Sequence, residues 1–444
     1  MANTYLNKTM GSASTNSKKW TFSTWFRLGA FNRGQALFSA GDTSTYTNIQ
    51  VNSNNYFQVY STNSMGGSGA TDIETRMKIL DTSAWYHCVV QFDSTQSTQA
   101  DRLKIYINGQ EQTNLITNTN NIALNQDNDK IGANGVPHYI GTYVANSNYF
   151  GGTLSQTAFV DGSVVAPTNF GETDTSGIWK VKPAGATWGN NGFLLTYESA
   201  GASAAASNFG EDKSGNGNHF ASNNLPTNPN TQHTPENLFA QWDKPSQMGG
   251  SITNNGIQET TQDNSGVVAS LAMPKGSTSK WWIEMKCIAG NNNAIGICPA
   301  SQTFRLKASS GINSYSITLY GADGRVFNFG STSQGADGGR QFGAGDILNF
   351  KIDMNGGTIE FFKSGSSIGS AEGWNNTSYP LMCILSRKGG SSQTMSINTG
   401  CPDYSITSNS GNGYADAAGY GKFQYQPPSG YYALCSKNIA AYGG

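Results

Sequence analysis

The sequence predicts an all-β protein: two β-sandwich domains of jelly-roll-like character, joined by an irregular connector. Three observations carry that expectation. Short runs of alternating apolar and polar residues recur along the chain, with the two-residue period of a half-buried strand. Turn formers stand between them: Gly supplies 54 of the 444 residues, and Asn, Ser and Thr crowd the same stretches. The strand-like runs are not separated by stretches with the apolar spacing of a helix. At roughly 150 residues per domain, the length suggests two or three domains, each able to bury its own core.

Charge removes several function classes. Lys and Arg number 27 against 28 Asp and Glu, a net charge of −1, and only 12% of residues are charged. A nucleic-acid binder needs a basic face to displace counterions, so nucleic acid is not an expected partner. No block of like charge suggests a disordered tail, and the composition is unlike that of a coiled coil. No stretch approaches the roughly 18 apolar residues of a membrane span, so no membrane insertion is expected. MANTYLNKTM lacks the basic-then-apolar pattern of a secretory signal. Cys88, Cys287, Cys298, Cys383, Cys401 and Cys435 show no CxxC or Cys/His spacing, so a zinc site is not expected. Buried free thiols are the expectation, with disulfides the alternative.

The first domain is expected over residues 1–165. In KKWTFSTWFRL (18–28), Trp20, Phe22 and Phe26 share one side of a period-two ladder and Trp25 faces the other way. QALFSAGD (35–42), NIQVNSNNYFQVYS (48–61) and WYHCVVQFDS (85–94) follow. In DRLKIYINGQEQ (101–112), Leu103, Ile105 and Ile107 alternate with polar residues, and Asn108-Gly109 marks a hairpin turn. YFGGTLSQTAFVDG (149–162) closes the set. Residues 166–249 read as the connector: AGASAAASN is linker-like, and Pro226, Pro229 and Pro235 forbid continuous regular structure. From residue 250 to 444 alternation returns. KWWIEMKCI (280–288) places Trp282, Glu284 and Lys286 on one face and Trp281, Ile283, Met285 and Cys287 on the other. GDILNFKIDMNGGTIEFFKSG is a hairpin by inspection, turning at Asn355-Gly356-Gly357.

The series WTFSTWFR, LFSAGD, WYHCVVQFD, LKIYING and FGGTLSQTAFVDG resembles a concanavalin A-like lectin domain of the laminin-G/pentraxin type, with its motifs in family order. The series KWWIE, IGI, GDILNFKIDMNGGTIEFFKSG and YP, over roughly residues 250–436, resembles a SPRY domain, with Trp282 where Tyr is usual. The connector's FLL, DKSGNGNHF and TPENLF resemble segments that follow such lectin domains in virion proteins of tailed, especially marine, phages. The resemblance implies a virion surface protein: a spike, fibre or adhesin engaging host-surface carbohydrate. The alternative it leaves is a capsid or tail decoration protein contacting other virion structural proteins. Assembly in the host cytoplasm and release by lysis would need no signal peptide, and a homo-oligomer would suit either role.

Candidate chemistry is sparse. A concanavalin A-like fold raises glycoside hydrolysis, which needs two flanking carboxylates. Jelly-roll hydrolases carry them on one strand as E-x-D-x-x-E, and no such run occurs. Asp72 and Glu74 in TDIETRM have the right period, but no third acid follows, and the segment reads as part of a Gly-rich loop. No G-x-S-x-G elbow supports a serine triad, and His87 reads as a packing residue. No catalytic residue is therefore assigned. Tyr46, His138, Tyr139 and Tyr143, among amides at expected strand ends, are the ligand-binding candidates, because aromatic faces stack on sugar C–H surfaces. The laminin-G resemblance further implies Ca²⁺ at the rim. Asp42, Asn128 and Asp129 are its candidate oxygen ligands, against the plainer reading of Asx-stabilised turns. Arg325, Phe342 and Trp374, on SPRY-like loops, are candidates for a protein partner.

Overall fold

The computed structural model describes residues 3–62, 65, 69–144, 146–199, 201–225, 232–253, 256–261, 265–301, 315–388 and 393–444. Pro226 and Pro229, and the Gly66-Gly67-Ser68 part of the expected Gly-rich loop, lie outside these residues. The chain divides into two compact units, Met1–Thr231 and Gln232–Gly444. The segment expected as a separate connector, 166–249, is therefore shared between them. Its short strands explain the division, because they complete the sheets of the first unit.

In the first unit the strands are β1 (Tyr5–Thr9), β2 (Lys19–Leu28), β3 (Gln35–Gly41), β4 (Tyr46–Val51), β5 (Tyr56–Ser61), β6 (Thr71–Lys78), β7 (Tyr86–Asp93) and β8 (Leu103–Ile107). They continue with β9 (Gln110–Glu111), β10 (Leu115–Thr119), β11 (Pro137–Ile140), β12 (Gly152–Asp161), β13 (Gly171–Thr173), β14 (Trp179–Val181), β15 (Phe193–Leu195) and β16 (Ala221–Asn223). An eight-stranded sheet runs β10-β6-β5-β4-β3-β11-β1-β16, and a six-stranded sheet runs β15-β12-β2-β7-β8-β9. Their inward residues interdigitate as aromatic pairs: Phe22 of β2 stacks on Phe38 of β3 at 4.7 Å, and Phe38 meets Phe159 of β12 at 6.1 Å. Every one of these rings is fully buried, which is the burial that holds a sandwich together. The β8–β9 hairpin turns through Asn108 (φ 49°) and Gly109 (φ 77°), the left-handed pair that Asn-Gly supplies at least cost. A Cβ on Gly109 would also strike the Trp179 ring at 2.6 Å.

That ring belongs to a third layer. Residues 163–188 fold back over the outward face of the six-stranded sheet, where Phe170 joins Val89, Ala158 and Val160 in a second cluster flanked by Val165, Ala184, Ala186 and Trp188. Trp25 does point away from the main core, as its ladder position required, and this layer leaves it 3% exposed.

The second unit repeats the plan. One sheet is built around strands Lys280–Ala289, Ile347–Asp353, Thr358–Lys363 and Gln393–Asn398. The other is built around Asn293–Pro299, Ile317–Tyr320 and Leu381–Lys388. The hairpin about Asn355-Gly356-Gly357 pairs Asp353 with Thr358, as its alternation predicts. Trp281, Ile283, Met285 and Cys287 enter the core, but Glu284 on the opposite face is equally buried, because residues 398–425 lie across it. Both Glu284 oxygens accept hydrogen bonds, from Asn349, Asn398, the Tyr404 hydroxyl and the backbone N–H groups of Gln424 and Tyr425. All six cysteines are buried free thiols.

Candidate functional site

The outward face of the eight-stranded sheet carries the residues best suited to a ligand. Alternation along each strand sends Ile49, Val51, Phe57, Val59 and Ile73 inward. By the same two-residue period, Tyr46, Asn48 and Gln50 of β4, Gln58 and Tyr60 of β5, and Asp72 and Glu74 of β6 point outward. Strand register lines them into a row: Asn7, Tyr139, Ser39, Asn48, Tyr60, Asp72 and Thr119 stand side by side across seven strands.

Two aromatic groups sit on this face. Tyr46 meets Tyr60 at 5.8 Å and Tyr143 edge-on at 4.8 Å. Burial, then the Tyr46 hydroxyl, pushes the Tyr143 phenol well above its ordinary range. Tyr139 groups instead with Tyr5 and Tyr149, at 6.4 and 6.1 Å from Tyr5. Beside the first group, on the side away from the second, β5, β6 and β10 carry a ladder of amides and acids. Gln58 Nε2 donates to both Asp72 Oδ1 (2.8 Å) and Glu74 Oε1 (3.0 Å), while Asn52 Nδ2 and Thr117 Oγ1 also donate to Glu74. Two acceptors are left over: Asn48 Oδ1 and Gln50 Oε1 are buried and accept no hydrogen bond from the protein. Asn48 is only 3% exposed, so its unmet oxygen costs about 1–3 kcal/mol unless something donates to it.

Several expectations change here. Asp72 and Glu74 lie on a regular strand, not in a loop, and share its outward face. The next outward position is Arg76, so the acid pair is not extended to a third carboxylate. His138 cannot stack on a ligand: β11 turns it inward, fully buried, with Nε2 accepting from Gly132 N–H at 2.7 Å and Nδ1 against Val136 O. Its Nδ1 carries the proton if the carbonyl is to be satisfied, and burial pulls the imidazole down to about 4.

The residues named for Ca²⁺ do not fit a cation. Asp42 Oδ1 accepts from the backbone of Ser44 and Thr45, and these bonds, Thr45 first, draw its carboxyl below the ordinary range. Its other oxygen faces the Lys130 ammonium at 3.5 Å, which already fills the cation's place. The Asn128 side chain is spent on its own turn, accepting from Lys130 N and Ile131 N and donating to Ile131 O. Asp129 is exposed, its carboxyl raised by desolvation and by Asp42 against the pull of Lys130. Among the described residues no group of three or more His, Cys, Asp or Glu side chains could hold a metal.

A serine nucleophile fails on hydrogen-bond direction. His87 Nδ1 accepts from Trp179 Nε1 at 3.1 Å, so Nε2 bears the proton and donates to Ser23 Oγ at 2.8 Å. A base must accept from its serine, and this one gives. Burial between Trp25 and Trp179 pulls the imidazole down to about 3. On the second unit, Phe342 is in the core and Arg325 is engaged by Asp323 at 2.6 Å, so those positions do not form a free gripping surface.

Tyr60, Asn48, Gln50 and Gln58 were not singled out from sequence. The alternation in YTNIQV, YFQVYS and TDIETR was the available signal, since it assigns all the outward positions at once.

Comparison with known proteins bears on the first unit above all. No curated protein matches the chain. Among solved structures, the SPRY domain of human HERC1 is 14% identical, with 36% of this chain and 98% of that chain covered and a TM-score of 0.29. A Bacteroides ovatus protein named for carbohydrate binding is 15% identical, with 50% and 56% covered and a TM-score of 0.34. The heptameric SAP-like pentraxin of Limulus polyphemus is 15% identical, with 37% and 78% covered and a TM-score of 0.25. Residues 2–168 match the family model of the concanavalin A-like lectin/glucanases superfamily, and the first unit therefore carries a concanavalin A-like lectin/laminin G domain.

Proposed function

We propose that the protein binds carbohydrate without hydrolysing it, through the outward face of the eight-stranded sheet. The observation that carries this reading is the partly exposed Tyr46–Tyr60–Tyr143 group standing beside the partly exposed carboxylates Asp72 and Glu74. Sugar rings offer a C–H face for the first and hydroxyl donors for the second. On the finer reading the protein is a spike, fibre or adhesin on a tailed-phage particle and the ligand is a host-surface glycan; the order of lectin-like, connector and SPRY-like motifs supports it. One observation favours the second reading, a decoration protein contacting other virion subunits: β10 is an edge strand without charge, and Ile116 on it is 42% exposed.

Binding of the full chain to purified host envelope polysaccharide is the test. Tyr60→Ala and Tyr143→Ala should each weaken it about fivefold, near 1 kcal/mol, with no reducing ends released. Wild-type binding by both variants would move the site elsewhere. Release of reducing ends that disappears with Asp72→Asn or Glu74→Gln would make the protein a hydrolase instead. Particle imaging separates the two virion readings, a tail tip supporting adhesion and a capsid lattice supporting decoration.

A further inference from the structure

The layer that covers the six-stranded sheet stops short of one corner. Its last anchors are Val165, whose carbonyl accepts from Gln91 Nε2 at 2.7 Å, and Ser163, whose carbonyl accepts from Thr21 Oγ1. Beyond them β7 and β8 present Gln91 beside Lys104, with Asp93 and Tyr106 next along the same face. Together with the turn that carries Asp101 and with Val164, they enclose a cleft of about 290 Å³. That is close to the lower limit of ligand pockets, about 300 Å³, and matches one small ring.

The cleft's charges are already closed in pairs. Lys104 Nζ lies 3.1 Å from Asp101 and 3.6 Å from Glu111, and Lys19 Nζ lies 3.3 Å from Asp93. The hydrogen bond to Asp101 holds the Lys104 ammonium above its ordinary pKa, so Lys104 stays charged. An anion entering here would meet Asp93 and Asp101, and a cation would meet Lys104; either would have to break a pair to bind. A neutral ligand with several hydroxyls would not, because it can donate to carboxylates and accept from the ammonium at once. The apolar contact is also present. Val164 is 38% exposed at the lip, and the Tyr106 ring is half-buried in the wall, its hydroxyl donated to Glu111.

We propose that this cleft binds a single neutral sugar ring, through Lys104, Asp101 and Gln91 at its polar rim and Val164 and Tyr106 at its apolar wall. It would be a second carbohydrate subsite, on the opposite sheet from the tyrosine face and independent of it.

Ligand-observed saturation-transfer NMR on the full chain tests it, with the methyl glycosides of glucose, galactose and mannose and with N-acetylglucosamine as probes. At least one should give a saturable signal that Lys104→Met weakens fivefold or more, and Asp101→Asn likewise, while Tyr60→Ala leaves it unchanged. Lys104 is about one-third exposed, so its replacement leaves the fold in place, which the thermal transition would verify. The proposal is overturned if no probe transfers saturation, if Lys104→Met binds as wild type does, or if free glycine displaces the sugar. A signal lost with Tyr60→Ala but kept with Lys104→Met would also overturn it, while leaving the tyrosine face standing. Loss with Lys104→Met alongside wild-type polysaccharide binding by Tyr60→Ala would do the reverse.

Discussion

The two outward faces of the first unit are built from similar residues and meet opposite fates. On the six-stranded sheet, Ser23, Thr21, His87 and Gln91 lie under residues 163–188, and each finds a partner: His87 between Trp179 and Ser23, Gln91 at Val165, Thr21 at Ser163. On the eight-stranded sheet, Tyr60, Asp72 and Glu74 stay partly exposed, while buried oxygens of Asn48 and Gln50 keep no partner in the protein. Covering a polar face satisfies most of it internally, because an unpaired buried group is costly; an exception is Gln156, whose Nε2 donates to Lys182 O while its Oε1 accepts from nothing in the protein. The partly exposed Tyr60, Asp72 and Glu74 instead remain within a ligand's reach. The second unit follows the covered pattern, with Glu284 sealed by residues 398–425, but there the sealed group is an acid where the first unit seals a base.

That contrast of acid and base gives the largest expected effect. Burial lowers His87 from its ordinary 6.5 to about 3, so the unfolded chain binds the extra proton. The first unit's stability is then full above pH 6.5 and is lost as pH falls toward 3, by on the order of 5 kcal/mol from this one residue. Burial raises Glu284 to about 7 and Glu259, held by Ser386, to about 8. Their contribution is full below pH 4.5 and is lost as pH rises through 7 to 8. Calorimetry between pH 5 and 8 should show the two units' transitions moving in opposite directions, with Glu259→Gln flattening the second. Parallel movement of both transitions would break the comparison.

Removing the cover comes next. Phe170 is fully buried in the layer over Val89 and Ala158, and Phe170→Ala should cost about 3–5 kcal/mol in thermal or chemical denaturation. Water admitted beside His87 should also raise its pKa toward 6.5, readable by NMR titration of the ring. A folded Phe170→Ala protein with His87 still near 3 would mean that the layer is not what seals it.

The smallest effect sharpens the comparison one atom at a time. Ser23→Ala strands the His87 Nε2–H under the cover and should cost about 1–3 kcal/mol. Asn48→Ala removes an oxygen that had no partner and should cost less than about 1 kcal/mol in the same denaturation measurement. Equal losses of stability at both positions would show that Asn48 is a structural residue.

Much of this was legible from residues alone. Period-two alternation placed Trp20, Phe22 and Phe26 in the core with Trp25 on the far side, and Asn108-Gly109 marked its hairpin. Local signals failed where the answer depended on distant chain. His138 looked like an exposed aromatic beside Tyr139. Its side of the sheet is fixed by the pairing of β11 with β1 and β3, strands about a hundred residues and more away, and a one-residue change of register would have exchanged the two. Asp72 and Glu74 looked like loop residues because Gly-rich sequence precedes them, yet they pair with β5 and β10. The connector looked like a linker because its strands are only three residues long. Phe193–Leu195 becomes a strand by pairing with β12, which no local propensity announces.

What the sequence determined by itself is the alternation: which residues of each strand share a face, where the hairpins turn, and that each half has an apolar set large enough for its own core. That information is local, because side-chain direction in a strand has a period of two whatever surrounds it. Only the tertiary structure decided what lies over each outward face. A row of Ser, Thr, Asn and His reads the same in sequence whether it meets water or a folded-back segment. The choice at His87 was made by Trp179, 92 residues away, whereas Tyr60 on the other sheet stays partly exposed.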